Sequence, residues 1–149
     1  MTDRGSALAG AATHTLESMC FFFVSTDLTD EQTAADTDAA IEVHFRGPLS
    51  GRLVVRFAGG ALPVLAANML GDTEGTPTMQ RDALGELANV ICGNLLPMLD
   101  GSEAVYAIGS PQPALMLHSE PAAHATVSLG LDTDGRVDLL LFVDDAVAA

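Results

Sequence analysis

Arg81-Asp-Ala-Leu-Gly-Glu-Leu-Ala-Asn-Val-Ile-Cys-Gly-Asn-Leu-Leu96 reads as one long helix with two different faces. At roughly 100° per residue, Leu84, Leu87, Ala88, Ile91, Leu95 and Met98 fall on one side, an apolar stripe suited to a core. Asp82, Glu86, Asn89 and Gly93 are spaced 4, 3 and 4 apart and form a second stripe almost opposite. Two acids and an amide therefore share the exposed face, and Gly93 leaves room for something to approach. Thr76 or Thr78 caps the start, with Pro77 beside it and Asp82 in the first turns. Pro97 ends or kinks the helix, because its ring collides with the carbonyl of Gly93 four residues back.

The chain around this helix has the length of one domain, 149 residues, with flexible ends expected at 1–5 and 144–149. Its hydrophobic residues are chiefly Ala, Val and Leu, with no Trp and one Tyr. Net charge is -14, which argues against nucleic acid and against anionic membranes as partners. All six basic residues are Arg. Met1-Thr-Asp-Arg4 is no basic leader, and the apolar Met19–Val24 run is too short to span a bilayer. A cytoplasmic protein is expected, with Cys20 and Cys92 as reduced, buried thiols, each in a helix.

Residues 6–24 have amphipathic helical spacing, with Leu8, Ala12, Leu16, Met19 and Phe23 on one face and Ser6 as N-cap. Residues 25–40, rich in Thr, Asp and Ala, read as a solvated loop. Ile41–Arg46 alternates apolar and polar, Gly47–Gly51 is turn chemistry, and Arg52–Phe57 returns, so 41–57 is a hairpin. Leu62–Leu70 is a short helix ending at Gly71. After the long helix, Glu103–Ile108 is a strand that Ser110-Pro-Gln-Pro113 interrupts, with Leu115–His118 extended. His124–Leu131 and Arg136–Val143 are strands around a turn at Asp132–Gly135. That turn echoes the start of a calcium loop, but the later ligand positions are missing.

An internal repeat is visible. Val43-x-Phe45-x-Gly47-x3-Gly51-Arg52 parallels Val127-x-Leu129-x-Leu131-x3-Gly135-Arg136, and Thr13-x3-Glu17-x2-Cys20 parallels Asp82-x3-Glu86-x2-Asn89. The expected architecture is α+β: an antiparallel sheet with two long helices packed on one face, in two pseudo-symmetric helix-plus-hairpin halves. Cys20 replaces the amide in the first copy, and a thiol does not donate and accept as an amide does. One functional stripe is expected, on the second helix. His14, His44, His118 and His124 have no metal-ligand spacing, and no metal site is expected.

Asp82-x3-Glu86-x2-Asn89, within Leu-Gly-Glu-Leu-Ala-Asn-x3-Gly-Asn-Leu, resembles the Asp/Ser-x3-Glu-x2-Asn motif of the CheC/CheX/FliY chemotaxis phosphatases, and its CheX branch most. Outside this helix the likeness, over residues 8–143, is one of elements rather than identities. It implies hydrolysis of the aspartyl phosphate of a CheY-like response regulator. Asn89 would orient the attacking water and Glu86 would pair with the regulator's lysine. Asp82 at the rim, and Gly93 beyond, would serve docking. The resemblance also implies that this chain binds no cofactor, that Mg2+ comes with the regulator, and that the chain is a homodimer. Two other readings stand beside it: a module that binds a regulator without turnover, and a structural or ligand-sensing protein whose acids are solvated surface. Asn in mid-helix beside two acids is what an ordinary solvated face leaves unexplained, since Asn forms helices poorly.

Overall fold

The computed structural model describes residues 3–71, 75–100, 105–114 and 123–144. In chain order the elements are α1 (Asp3–Ser18), β1 (Val24–Ser25), α2 (Asp30–Ala34), β2 (Thr37–Arg46), β3 (Gly51–Ala58), α3 (Leu62–Leu70) and α4 (Pro77–Asp100). Then come β4 (Ala107–Ile108), β5 (Gln112–Pro113), β6 (Ala125–Leu131) and β7 (Arg136–Val143). One antiparallel sheet runs β1-β6-β7-β3-β2-β4, and β5 shares the outer edge of β2 with β4. Both expected hairpins are present, β2–β3 and β6–β7, joined side by side through β3 and β7.

Period-two alternation sorts the strands into two faces. Val43, Phe45, Leu53, Val55, Phe57, Val137, Leu139 and Leu141 point to one face and are at most 3% exposed. They form a single core with Leu8, Ala12 and Leu16 of α1, and Leu84, Leu87, Ile91 and Leu95 of α4. Helix α1 lies over β6, α4 lies over β2 and β3, and the two helices touch each other. This is the expected α+β arrangement, with the long helices on one face.

The opposite face of the sheet carries charge. The Arg52 guanidinium lies 4.0 Å from the centre of the Phe142 ring and 3.7 Å from Glu42. Asp138, 6% exposed, accepts from Arg136 Nε at 3.0 Å and from Ser128 Oγ at 2.7 Å, with Arg56 at 3.8 Å. A carboxylate this shielded persists only with such partners.

Several expectations are corrected. Helix α1 begins at Asp3, so Ser6 is not its cap, and it ends at Ser18, leaving Cys20 just outside a helix. Phe23, expected in the core, is 76% exposed; the chain has already left helical phase at Phe21, whose φ is +59°. Phe22 turns inward instead and packs against Phe57. Residues 25–40 are not a plain loop, because they hold the end of β1, helix α2 and the start of β2. Thr29 and Gln32 form a reciprocal capping box, and buried Gln32 donates to the carbonyls of Leu131 and Thr133. Met98, assigned to the core stripe, is 55% exposed, and Leu96 and Cys92 are buried instead. Of the two outcomes expected at Pro97, an end or a kink, the end is ruled out: α4 continues to Asp100. Gln112-Pro113 does not merely interrupt a strand; it pairs with β2. Of Glu103–Ile108, only Ala107–Ile108 is paired strand among the described residues. The expectations for Leu115–His118 and for the last five residues lie outside the described residues.

Candidate functional site

The rotation of α4 is set by its core. Leu84, Leu87, Ala88, Ile91 and Leu95 are fully buried, which turns Asp82, Glu86 and Asn89 away from the sheet-facing side. The start of the helix is set by Thr76, whose Oγ1 accepts from the Met79 amide at 3.2 Å. Thr76 is thus the cap of the two expected, and Pro77 takes the first turn, where no amide donor is needed.

Asp82, Glu86 and Asn89 line one hollow of about 420 Å3, together with Thr78, Arg81 and Gly85 of the same helix. The opposite wall is apolar: Ile41 of β2 with Pro111 and Pro113. Pairing of Pro113 with Ile41, and the Ala114 amide donating to the Ala40 carbonyl at 3.1 Å, hold this strap against the sheet edge. Prolines are tolerated there because an edge strand does not need every amide. Gly85 lets the strap come close: a Cβ at that position would stand 3.1 Å from Pro111 Cβ.

The side chains are differently placed. Asp82 and Glu86 are exposed, and Asn89 is half-buried. Asn89 Oδ1 is shielded from solvent and accepts no hydrogen bond from any described residue. A shielded amide oxygen without a donor is costly, so it is a natural position for an incoming donor. Arg81 is exposed and has no ion pair among the described residues. The hollow is therefore lined along one wall by Arg81, the two acids and the Asn89 side chain.

Gly93 does not join this lining. It is exposed, and a Cβ there would meet nothing within 4 Å, so the space beside it belongs to the surface rather than to the absent side chain. In the first copy of the repeat Glu17 is exposed and Thr13 half-buried, but Cys20 is buried beyond the end of α1. Burial pushes the Cys20 thiol from 9.0 up to about 11 and the Cys92 thiol to about 12, so neither is a nucleophile near neutral pH. Among the described residues no three His, Cys, Asp or Glu side chains converge as a metal site. His14 is exposed, His44 pairs with Glu42, and His124 Nδ1 accepts from the Val143 amide; His118 lies outside the described residues.

The family model described as "Chemotaxis phosphatase CheX" matches residues 39–121, more than half of the chain. The chain belongs to the CheX family. The matched span opens in β2 and contains all of α4, so it includes Asp82, Glu86 and Asn89. Solved structures share the fold of this CheX-family chain. CheX from Vibrio vulnificus superposes with a TM-score of 0.72 at 15% identity, covering 96% of this chain and 97% of that one. The Borrelia burgdorferi structure, a CheX–CheY–BeF3–Mg2+ complex, gives 0.68 at 14% identity, with 94% and 97% covered. Thermotoga maritima FliY gives 0.59 at 16% identity, with 95% and 87% covered. No curated protein matches the sequence significantly. Among the described residues, no helix is long and apolar enough to cross a membrane.

Proposed function

We propose that this CheX-family chain hydrolyses the aspartyl phosphate of a CheY-like response regulator, with Glu86 and Asn89 as its working residues. The observation that carries the reading is that Asn89, whose Oδ1 has no donor among the described residues, lines one hollow together with the exposed Glu86 on the same helix. The family match supports the reaction class. The Borrelia complex supports the partner class and the source of the metal, since that assembly combines CheX with CheY, BeF3 and Mg2+.

An acyl phosphate is a mixed anhydride and hydrolyses readily once a water stands in line with phosphorus. The regulator brings its own Mg2+ and lysine, which neutralise the developing charge on the phosphoryl oxygens. What remains for this chain is positioning. The Asn89 side-chain amide, which can donate and accept, hydrogen-bonds the attacking water and fixes its orientation. Glu86 pairs with the regulator's lysine and sets the register of α4 across the partner's site, and Asp82 lies one turn earlier at the rim. Water attacks phosphorus, the bond to the aspartyl oxygen breaks, and carboxylate and inorganic phosphate leave. We further propose that the chain works in the cytoplasm as a homodimer.

The test is the decay of a phosphorylated CheY-like receiver with wild type and with Asn89→Ala. Decay faster with wild type, and returning to the receiver's own rate with Asn89→Ala while binding persists, is expected. Binding without acceleration by wild type would make the chain a docking module instead.

A further inference from the structure

Beside the first hollow, across the ridge made by Asp82 and Glu86, lies a second one. Its volume is about 260 Å3, and its lining is Met69, Leu70, Met79, Asp82, Ala83 and Glu86. The two acids therefore border both hollows. Four of these six described side chains are apolar, and two of those are large and open to solvent: Leu70 is 45% exposed and Met79 40%. They lie on either side of the α3–α4 connection and are brought together against Gly75, which has φ +72°. A Cβ on Gly75 would stand 3.1 Å from Met79 Cβ and 3.4 Å from Leu70 Cδ1. Gly75 thus packs close to both side chains, which stay 45% and 40% exposed.

We infer that this second hollow is a docking pocket for the receiver, taking an aliphatic side chain that neighbours the cation held by Glu86. The inference rests on the phosphatase reading above. A partner whose phosphoryl group reaches Asn89 and whose lysine reaches Glu86 contacts the ridge that also borders the second hollow. A receiver surface that extends past Glu86 covers that hollow too. An apolar floor with an acidic rim fits an aliphatic residue flanked by a positive charge. The thioethers of Met69 and Met79 suit the task, because flexible, polarisable side chains adapt to the shape presented.

The experiment measures binding of the beryllofluoride- and Mg2+-loaded receiver, and turnover of the phosphorylated one, for wild type, Leu70→Asp, Met79→Gln and Asn89→Ala. Both positions are exposed, and the milder Met79→Gln keeps the test intact if Leu70→Asp fails to fold. Loss of an anchoring aliphatic contact is expected to raise Kd and KM by roughly ten- to a hundredfold, with kcat within about twofold. Asn89→Ala is expected to do the reverse, keeping Kd and losing kcat. Unchanged Kd in both pocket variants, with wild type active, overturns the pocket and leaves the phosphatase reading standing. A wild type that neither binds nor turns over any receiver overturns both. Self-association of wild type that the pocket variants abolish, at unchanged receiver affinity, gives the pocket to a second copy of this chain and overturns the inference.

Discussion

Asn89 and Glu86 are one turn apart on α4, yet their environments differ, and so should the effects of replacing them. Asn89 is half-buried with a shielded oxygen, whereas Glu86 is exposed. Truncating a positioning group acts on the transition state and truncating a docking group acts on association. Under the proposed mechanism, Asn89→Ala lowers kcat by about 10²-fold with little change in KM. Glu86→Gln retains the shape, loses the charge, and raises KM most at low salt, where the pairing is least screened. Asn89→Asp adds an anion to a wall that already holds Asp82 and Glu86, so its KM should exceed that of Asn89→Ala. Steady-state kinetics of receiver dephosphorylation at two salt concentrations checks all three. The two cysteines make a prediction independent of function. Their folded-state values lie above 9.0, at about 11 and 12, because burial disfavours the thiolate. The unfolded chain releases these protons first, so the thiols' contribution to stability is complete below pH 9 and is lost as pH rises from there through about 11 and 12. Iodoacetamide at pH 8 should label neither thiol in the native protein and both in denaturant, and urea midpoints should fall above pH 9 by less in Cys20→Ser/Cys92→Ser than in wild type.

Between elements, Gly85 is where helix and strap meet. Alanine there would gain about 1 kcal/mol of helix propensity. Against this, its Cβ would stand 3.1 and 3.2 Å from Pro111 Cβ and Cγ, so the strap must give way by a few tenths of an ångström. It can do so, because β5 is two residues long and both are exposed. The expected outcome for Gly85→Ala is a stability change within about 1 kcal/mol by urea denaturation, together with a higher KM as the Pro111 wall shifts. Helix α4 itself was legible in the sequence, since a 3.6-residue period, a threonine cap at Thr76 or Thr78 and the stripe of Asp82, Glu86 and Asn89 are all local. The opposite wall was not. Ile41 and Pro111 are seventy positions apart, and the register Ile41 with Pro113 comes from strand pairing that no local pattern encodes. Helix α2 was masked differently. Thr29-Asp-Glu-Gln32 has capping-box spacing, but the surrounding acids read as a solvated loop, and only the carbonyls of Leu131 and Thr133 explain why Gln32 is buried. Gln32→Leu would remove the bonds to those carbonyls and the one from the Thr29 amide. A loss of about 2–3 kcal/mol in chemical denaturation is expected, with activity at saturating receiver unchanged because Gln32 does not line the hollow on α4.

The whole molecule carries 20 acids against six arginines, a net charge of -14. Half of those arginines, Arg52, Arg56 and Arg136, are engaged with Glu42 or Asp138 on the face of the sheet away from the helices. The remaining acids are therefore poorly compensated, and repulsion among them works against the compact state. Salt acts on the two populations unequally. Exposed like charges separated by 10–20 Å on average, an order-of-magnitude spacing, feel each other when the Debye length is about 30 Å at 0.01 M and much less when it is about 8 Å at 0.15 M. The Asp138 cluster is shielded, with Asp138 6% exposed, and is screened far less. Raising salt should thus remove more repulsion than attraction. The melting temperature is expected to climb between about 0.01 M and about 0.15 M NaCl and then flatten. A melting temperature that falls over this range would mean that the sheet-face ion pairs outweigh the acidic surface. Arg56→Met, which removes one pair and makes the net charge more negative, tells the two apart. It should steepen the rise if surface repulsion dominates, and flatten the fall if the ion pairs do.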